Sequence, residues 1–599
     1  MYNYLTRSKV PVAMNYNLNA LSGQQQKTST LTALRKLLQL INSERRNLLL
    51  ALFAILLNSS LNLTGPFLIG YTIDRYIQHK DYNGLLSMSG ILLVMYLIAL
   101  VASYAQTRLM GGVGQRMLFT LRNSIFSKLQ DLPVAFFNAN KAGDLISRVN
   151  NDTDKLNTFF SQSLMQFIGS LVTMVGAGIF LLIIHVRLGV AALFPALCIL
   201  LFTYLVSPWV KRKNAATLKS TGALSAEIQE SLNNFKVTIA FNRRDYFRQR
   251  FDDVNRSNYK TAVSSGLANN LLLPIYNFFS GLAQLIVLAY GIYLISEKDF
   301  SVGLLVSYLS YATNFYNPLR QLASLWTSFQ TALAGWDRIS QILSLQSNLN
   351  LVASDETGAS SALMEFKNVN FGYEKNKEIL HKVNLQLEEG KTYAFVGPTG
   401  GGKTTTASLI ARLYDPSMGT VFLRGKDLRS YTAEKRTNKI GFILQEPFLF
   451  TGTVKDNLIY GNEHYQNYTD EQLEKVINEA HLDRLLLLFE NGLTTVVSST
   501  GDGISLGQKQ LIAFMRAVLR NPDVLILDEA TANIDTITEQ LLDEILNQLP
   551  PHTTRIIIAH RLNTIQNADE IYFVNGGEVV RAGSFDDAVN LLMKGRRAS

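Results

Sequence analysis

At 599 residues the chain is too long for one hydrophobic core, so at least two domains are expected. Only 17% of the residues are charged and the mean hydropathy is +0.10, high for a soluble protein, with the long apolar runs crowded into the first half. The formal charge of +9 comes with no RNA- or DNA-binding motif, which argues against nucleic acid and for the Lys and Arg surplus that membrane proteins keep in cytoplasmic loops.

The lone cysteine, Cys198, lies in an apolar run, which excludes an internal disulfide and a cysteine-cluster metal site. No cleavable signal peptide is read in the polar N-terminal stretch. Residues 30–46 have helical spacing with Leu and basic residues interleaved, read either as a helix along the inner membrane surface or as a continuation of the first span. Six stretches reach the roughly twenty apolar residues a bilayer needs. They are residues 48–71, 85–108, 160–184, 188–210, 271–295 and 302–326. Short polar turns join them in pairs, while the second-to-third and fourth-to-fifth connections are long and basic. Arg116, Arg122, Lys128 and Arg148 lie in the first; Lys211, Arg212, Lys213, Lys219, Arg243, Arg244, Arg248 and Arg250 lie in the second. The positive-inside rule then places both long loops and both termini in the cytoplasm, and helical spacing at 224–234 extends the spans beyond the membrane.

The spans hold almost no acids, which weakens a proton- or sodium-coupled mechanism. The sixth carries Tyr308, Tyr311, Asn314, Tyr316, Asn317, Pro318 and Arg320. These either line a cavity or hold helices together by hydrogen bonds, with Pro318 as a kink; both readings stay open. A polar, small-residue linker follows at 346–362, and from Leu363 short β runs alternate with helical ones, the pattern of a parallel sheet covered by helices. The division expected is thus a tail at 1–30, a membrane domain at 31–345, the linker, and an α/β domain at 363–599.

In that α/β domain a buried-strand run, 393–396, leads into Gly397, Pro398, Thr399, Gly400, Gly401, Gly402, Lys403, Thr404 and Thr405, then a helix. This is the P-loop pattern in its strand–loop–helix setting. Glycines let backbone N–H groups wrap the phosphates of ATP, Lys403 neutralises β- and γ-phosphate charge, and the Thr404 hydroxyl sits on Mg2+. Asp528 ends an apolar strand run at 525–527 and is expected on the metal, with Glu529 next to it to polarise the attacking water. His560 follows another strand run, 556–559, toward the γ-phosphate, and Gln445 follows 442–444 to contact magnesium and water from a mobile loop. Tyr373 is a candidate to stack on adenine. Ser505, Gly507 and Gln508 open a further helix onto a phosphate, but Leu506 stands between them where a close backbone approach favours glycine.

These motifs, in this order, resemble a half-size ATP-binding-cassette exporter over nearly the whole chain beyond the first thirty residues. The resemblance implies a helical six-span membrane domain of the type I ABC exporter kind, followed by an α/β P-loop NTPase domain. Tyr373 matches the A-loop, residues 397–405 Walker A, Gln445 the Q-loop, 505–508 the signature, 525–528 Walker B with catalytic Glu529, 532–535 the D-loop ending in Asp535, and His560 the switch histidine. The family also implies two halves that sandwich ATP between the Walker motifs of one and the signature of the other. Coupling helices near 132–141 and 231–238 are expected to dock on the nucleotide-binding domains. Against the family's Leu-Ser-Gly-Gly-Gln, this chain has Ile504-Ser505-Leu506-Gly507-Gln508, and 497–503 lacks the usual acidic run.

Intact Walker residues beside an altered signature resemble one partner of bacterial heterodimeric exporters with unequal ATP sites. The expected partner is a second half-transporter with an intact signature and a degenerate Walker B; membrane lipid and an amphipathic drug- or lipid-like cargo complete the set. The expected location is a bacterial cytoplasmic membrane. The alternatives are a homodimeric lipid flippase or exporter and a nucleotide-gated channel or regulatory subunit. Peptide export normally brings a cysteine protease domain, for which this chain has neither the room nor the cysteine.

Overall fold

The computed structural model describes residues 16–18, 44–349, 351–352, 362–374, 377–498, 504–528, 536–558, 567–583, 586–587 and 590. Their contacts divide the chain into two compact units. One comprises Gln25–Lys128 and Gly143–Leu343; the other comprises Met1–Gln24, Leu129–Ala142 and Ser344–Ser599.

The first unit is helical. Five of its helical stretches, Arg45–Ile77, Tyr82–Gln130, Ala142–Ile184, Val186–Asn233 and Arg244–Ser296, are long and apolar enough to cross a membrane. Each runs well past the apolar window that marks it in the sequence, as the helical spacing of the long loops implies. A sixth helix, Val302–Ser344, is long enough at 43 residues but falls outside that set. Its tyrosines, asparagines and Arg320 dilute the apolar run. Leu93, Val94, Leu97, Leu100 and Val101 are exposed along the second helix, and Phe194, Leu197, Leu200 and Leu201 along the fourth. Such continuous apolar surface is stable against lipid and unstable against water.

The sixth helix is tied to its neighbours by hydroxyls. Tyr308 donates to the carbonyl of Leu181 at 2.6 Å, Tyr311 to that of Leu63 at 2.7 Å, and Tyr316 to that of Ala192 at 2.7 Å. All three rings are buried. Of the two readings left open for this stretch, the structure supports interhelical hydrogen bonding for the tyrosines, since in an apolar interior a hydroxyl must find a partner. Ser307 adds a bond to the Pro66 carbonyl at 2.7 Å. Near that point Gly70 and Gly303 let two helix backbones touch, because a Cβ on either would meet the other's carbonyl oxygen. Asp74 then caps the start of the sixth helix, accepting from the Gly303 N–H at 2.8 Å and from the Ser301 hydroxyl.

Charges that read as loop residues turn out to be structural. Arg148 is buried, donating to Asp144 at 2.9 Å, to the Arg338 carbonyl at 2.7 Å and to Gln341 at 2.9 Å. Arg250 reaches the buried Glu227 at 2.7 Å, joining the long helices Val186–Asn233 and Arg244–Ser296. Between these helices the short helix Phe235–Ala240 leaves Phe235, Val237 and Phe241 more than half exposed.

The second unit holds twelve strands among its described residues: β1 Met364–Phe371, β2 Leu380–Leu387, β3 Thr392–Val396, β4 Met418–Leu423, β5 Lys426–Asp427, β6 Ile440–Ile443, β7 Gly452–Thr453, β8 Val496–Val497, β9 Val524–Asp528, β10 Thr554–Ile558, β11 Glu570–Asn575 and β12 Glu578–Gly583. The main sheet has the order β12-β11-β3-β10-β9-β6, parallel except for the β11–β12 hairpin. Every residue of β3 and β9 is buried, the pattern of a parallel sheet covered on both faces. An antiparallel sheet, β2-β1-β4-β5, accompanies it, and β7 pairs with β8. The short helix Val134–Ala139, from the segment where the first coupling helix is expected, belongs to this unit, as does the buried pair Tyr16 and Leu18. Nothing in the sequence pattern had marked Tyr16 and Leu18 as core.

The Gly70–Gly303 contact yields a matched test. Gly70→Ala is expected to destabilise the protein by about 1–3 kcal/mol through overpacking. Gly281→Ala, where a Cβ meets nothing within 4 Å, should leave stability unchanged or raise it by up to about 1 kcal/mol through helix propensity. Thermal melts in detergent compare the two, and identical midpoints would refute the tight crossing.

Candidate nucleotide site

The site begins with register. Phe395 of β3 pairs with Ile558 of β10, Ile558 with Asp528 of β9, and Leu527 with Ile443 of β6. The carboxyl ends of four parallel strands therefore finish along one edge of the sheet, where open α/β sheets bind ligands. The loop after β3, Asp528 and Gln445 all leave the sheet there.

Residues 397–402 turn from β3 into the helix Lys403–Ile410. Gly402 caps that helix at φ 115°, a left-handed conformation, and a Cβ on it would lie 2.8 Å from Leu380 Cδ2. A Cβ on Gly401 would lie 2.5 Å from the Val574 carbonyl oxygen. Pro398, Thr399 and Gly400 are exposed, whereas Gly401, Gly402 and Lys403 are buried. Lys403 Nζ donates to the carbonyls of Gly397 at 2.9 Å and Pro398 at 3.2 Å, so the ammonium is held inside the curl of the loop. A glycine-built backbone concavity, a cation within it and a helix N-terminus beyond it form a cradle suited to a polyphosphate.

The Thr404 hydroxyl, at the head of the same helix, donates to Asp528 Oδ1 at 3.4 Å. Asp528 is 3% exposed and Thr404 is exposed, so two hard oxygen donors converge beside the cradle, the donor type that suits Mg2+. Gln445 lies two residues past β6, exposed.

Tyr373 lies two residues past β1 and is 49% exposed. Its ring stands edge-on to Phe371 and to Tyr414, each with centroids 5.0 Å away, and its hydroxyl lies 3.2 Å from Thr405 Oγ1. Two buttresses and a bond to the phosphate-loop helix thus orient a ring that keeps half its surface open. Tyr414 accepts a 2.7 Å bond from Asn138 Nδ2 on the helix Val134–Ala139; burial pushes its hydroxyl above the ordinary range, so it stays protonated.

Ser505 caps the helix Leu506–Val518 in a reciprocal box: Gln508 N–H donates to Ser505 Oγ at 3.1 Å, and Ser505 N–H donates to Gln508 Oε1 at 2.9 Å. Gln508 Nε2 also donates to the Leu488 carbonyl at 3.0 Å. Leu506 is the first residue of the helix and 45% exposed, with Gly507 next. The cap and the helix form without a glycine at 506, so the leucine introduces no folding defect. Glu529, Asp535 with the rest of 532–535, His560 and residues 499–503 lie outside the described residues.

Sequence reading missed a second feature. Beside Gln445 runs a groove of about 260 Å³ lined by Leu444, Phe448, Phe450, Tyr460, Arg516 and Arg520, among others. Arg516 donates to the Asn457 carbonyl at 2.7 Å and lies 5.6 Å over the Tyr460 ring. Burial lowers the pKa of both arginines from the usual guanidinium value. Only the interleaving of aromatics at 448–460 with arginines at 516 and 520 hints at it, and those residues are too far apart in sequence to be read as one surface.

Comparison with known proteins agrees with this architecture. A family model described as the ABC transporter transmembrane region matches residues 48–319, and one described as ABC transporter matches 380–532. The chain is 32% identical over 559 residues to an ABC transporter ATP-binding protein of Bacillus subtilis, covering 91% of this chain and 90% of that one. It is 31% identical over 507 residues to a fatty acid ABC transporter ATP-binding/permease protein of Mycobacterium bovis, covering 85% and 80%. It is 30% identical over 499 residues to a multidrug resistance ABC transporter ATP-binding and permease protein of Lactococcus lactis, covering 83% and 84%. Among solved structures, a bacterial Atm1-family ABC exporter with ATP bound superposes with a TM-score of 0.75 at 24% identity, covering 93% of this chain and 98% of that chain. With an exporter-type helical membrane region fused to a P-loop ATPase domain, the chain belongs to the ABC transporter family, as a half-transporter whose ATP hydrolysis is coupled to transport.

Proposed function

We propose that the chain is one half of a heterodimeric exporter of amphipathic small molecules, with one competent and one degenerate ATP site. The observation that carries this is Leu506, half-exposed at the first position of a well-capped helix, in a chain whose own phosphate loop is well formed. A residue that costs the fold nothing but crowds a phosphate acts on the ligand of the opposing half. One relative is named for fatty acid and another for multidrug resistance, and these names support that substrate class. The basic long loops support a topology with the nucleotide-binding domain and both termini in the cytoplasm, and the domain division at 31–345 and 363–599 follows.

In this reading the adenine of ATP stacks on Tyr373, and residues 397–405 enclose the phosphates by backbone N–H groups, with Lys403 against the β- and γ-phosphate charge. Thr404, Asp528 and Gln445 hold Mg2+, which when bound neutralises phosphate oxygen charge. Glu529 takes a proton from the attacking water, and His560 hydrogen-bonds the γ-phosphate. Ser505, Gly507, Gln508 and Asp535 face the nucleotide of the partner. ATP binding closes the paired domains and turns the spans outward; hydrolysis resets them.

The test of the assembly is the native mass of the complex extracted from its host. A stoichiometric second half-transporter with an intact signature supports the reading, whereas two copies of this chain alone overturn it. In the pair, Glu529→Gln is expected to lower ATP turnover at least about 100-fold, the scale of a lost general base. Residual turnover near wild type would sink the single-site assignment. Leu506→Gly should change turnover only modestly, and a large gain would mean that the partner's catalytic residues are competent. Tyr373→Ala is expected to raise KM for ATP about fivefold or more, since stacking one base contributes about 1–3 kcal/mol.

A further inference from the structure

Residues 16–18 make contacts that the transport cycle described above does not use. Tyr16 is 5% exposed and Leu18 fully buried. Asn140, the residue after the helix Val134–Ala139, clasps them by their backbone. The Leu18 N–H donates to Asn140 Oδ1 at 3.1 Å, and Asn140 Nδ2 donates to the Tyr16 carbonyl at 2.8 Å and the Phe136 carbonyl at 2.7 Å. The Tyr16 ring stands edge-on to the fully buried Phe136, centroids 6.4 Å apart. Its hydroxyl donates to the Gln346 carbonyl at 3.1 Å and accepts from the Asn348 N–H at 2.9 Å. Burial pushes this hydroxyl above its ordinary range, which keeps it a donor. Three separate pieces of chain therefore meet: one that precedes the first span, one from the first long loop, and one that follows the sixth span.

The same short helix carries Asn138, and from there contacts run without a break to the nucleotide residues. Asn138 donates to Tyr414, the Tyr414 ring abuts Tyr373, and Tyr373 bonds Thr405. A side-chain amide that satisfies two backbone groups at once holds its partner in one register. We propose that residues 16–18 form an intramolecular strap and that Tyr16 and Asn140 are positioning residues for the nucleotide site. The docked strap holds the short helix in place, the helix orients Tyr414 through Asn138, and Tyr414 orients the ring of Tyr373. This rests on the reading of Tyr373 as the adenine platform. Linkage is reciprocal: the factor by which the docked strap favours ATP is the factor by which ATP favours strap docking.

The test uses the full complex. Hydrogen exchange at the Leu18 amide is measured with and without the non-hydrolysable analogue AMP-PNP and Mg2+, and KM for ATP is measured for Asn140→Ala, Tyr16→Phe and Tyr373→Ala. Exchange is expected to slow about fivefold or more with nucleotide, the lower end of typical coupling. Asn140→Ala is expected to raise KM by a like factor with kcat unchanged. Tyr16→Phe, which keeps the ring on Phe136 and loses both hydroxyl bonds, should fall between it and wild type. If Tyr373→Ala raises KM but nucleotide leaves Leu18 exchange unchanged, the strap proposal is overturned and the adenine reading stands. If Tyr373→Ala leaves KM unchanged, the adenine reading fails and the strap with it. Should Asn140→Ala not fold, exchange in the wild-type complex still decides.

Discussion

The parallel register of β3, β10, β9 and β6 is the constraint on which the nucleotide site depends. It brings the phosphate loop, Asp528 and the Gln445 segment to one edge of the sheet, although they are distant in sequence. Asp528 also helps to enforce that register. Four apolar residues precede it in a strand buried along its length, and a slip of one residue toward them would set the carboxylate among apolar neighbours. The desolvation of an unpaired charge there is prohibitive. The acid at the strand end thus disfavours a slip in that direction.

Much of this was readable because its signals are local. A strand, a glycine turn and a helix are adjacent in the P-loop, and a membrane span is announced by its own length and composition. What escaped reading was set by distant partners. Arg148 counted as one more loop charge until Asp144, Arg338 and Gln341 were found around it. The sixth helix is the least apolar because its hydroxyls satisfy carbonyls on three other helices, a fact written into no single window. Tyr16 and Leu18 sit in a polar stretch with no periodicity, and it is distant partners, among them Phe136, Asn140 and the linker, that bury them.

Leu506 shows a helix start that is indifferent to the residue at its first position. Helix capping there depends on Ser505 and Gln508, and both bonds are in place. The helix start therefore places no demand for glycine at 506. The same indifference holds at Tyr373, whose ring is buttressed by Phe371 and Tyr414 whether or not a base lies on it.

The unbroken helices of the membrane unit have a mechanical consequence. Tyr82–Gln130 and Arg244–Ser296 run for 49 and 53 residues. At 1.5 Å per residue each is a rod of about 75 Å, more than twice the roughly 30 Å of hydrocarbon it crosses. Pivoted at one end, such a rod converts a tilt of about 5° into a displacement of about 6 Å at the other. Leverage of this kind suits a transporter, in which small movements at the ATPase domain must become larger ones across a membrane.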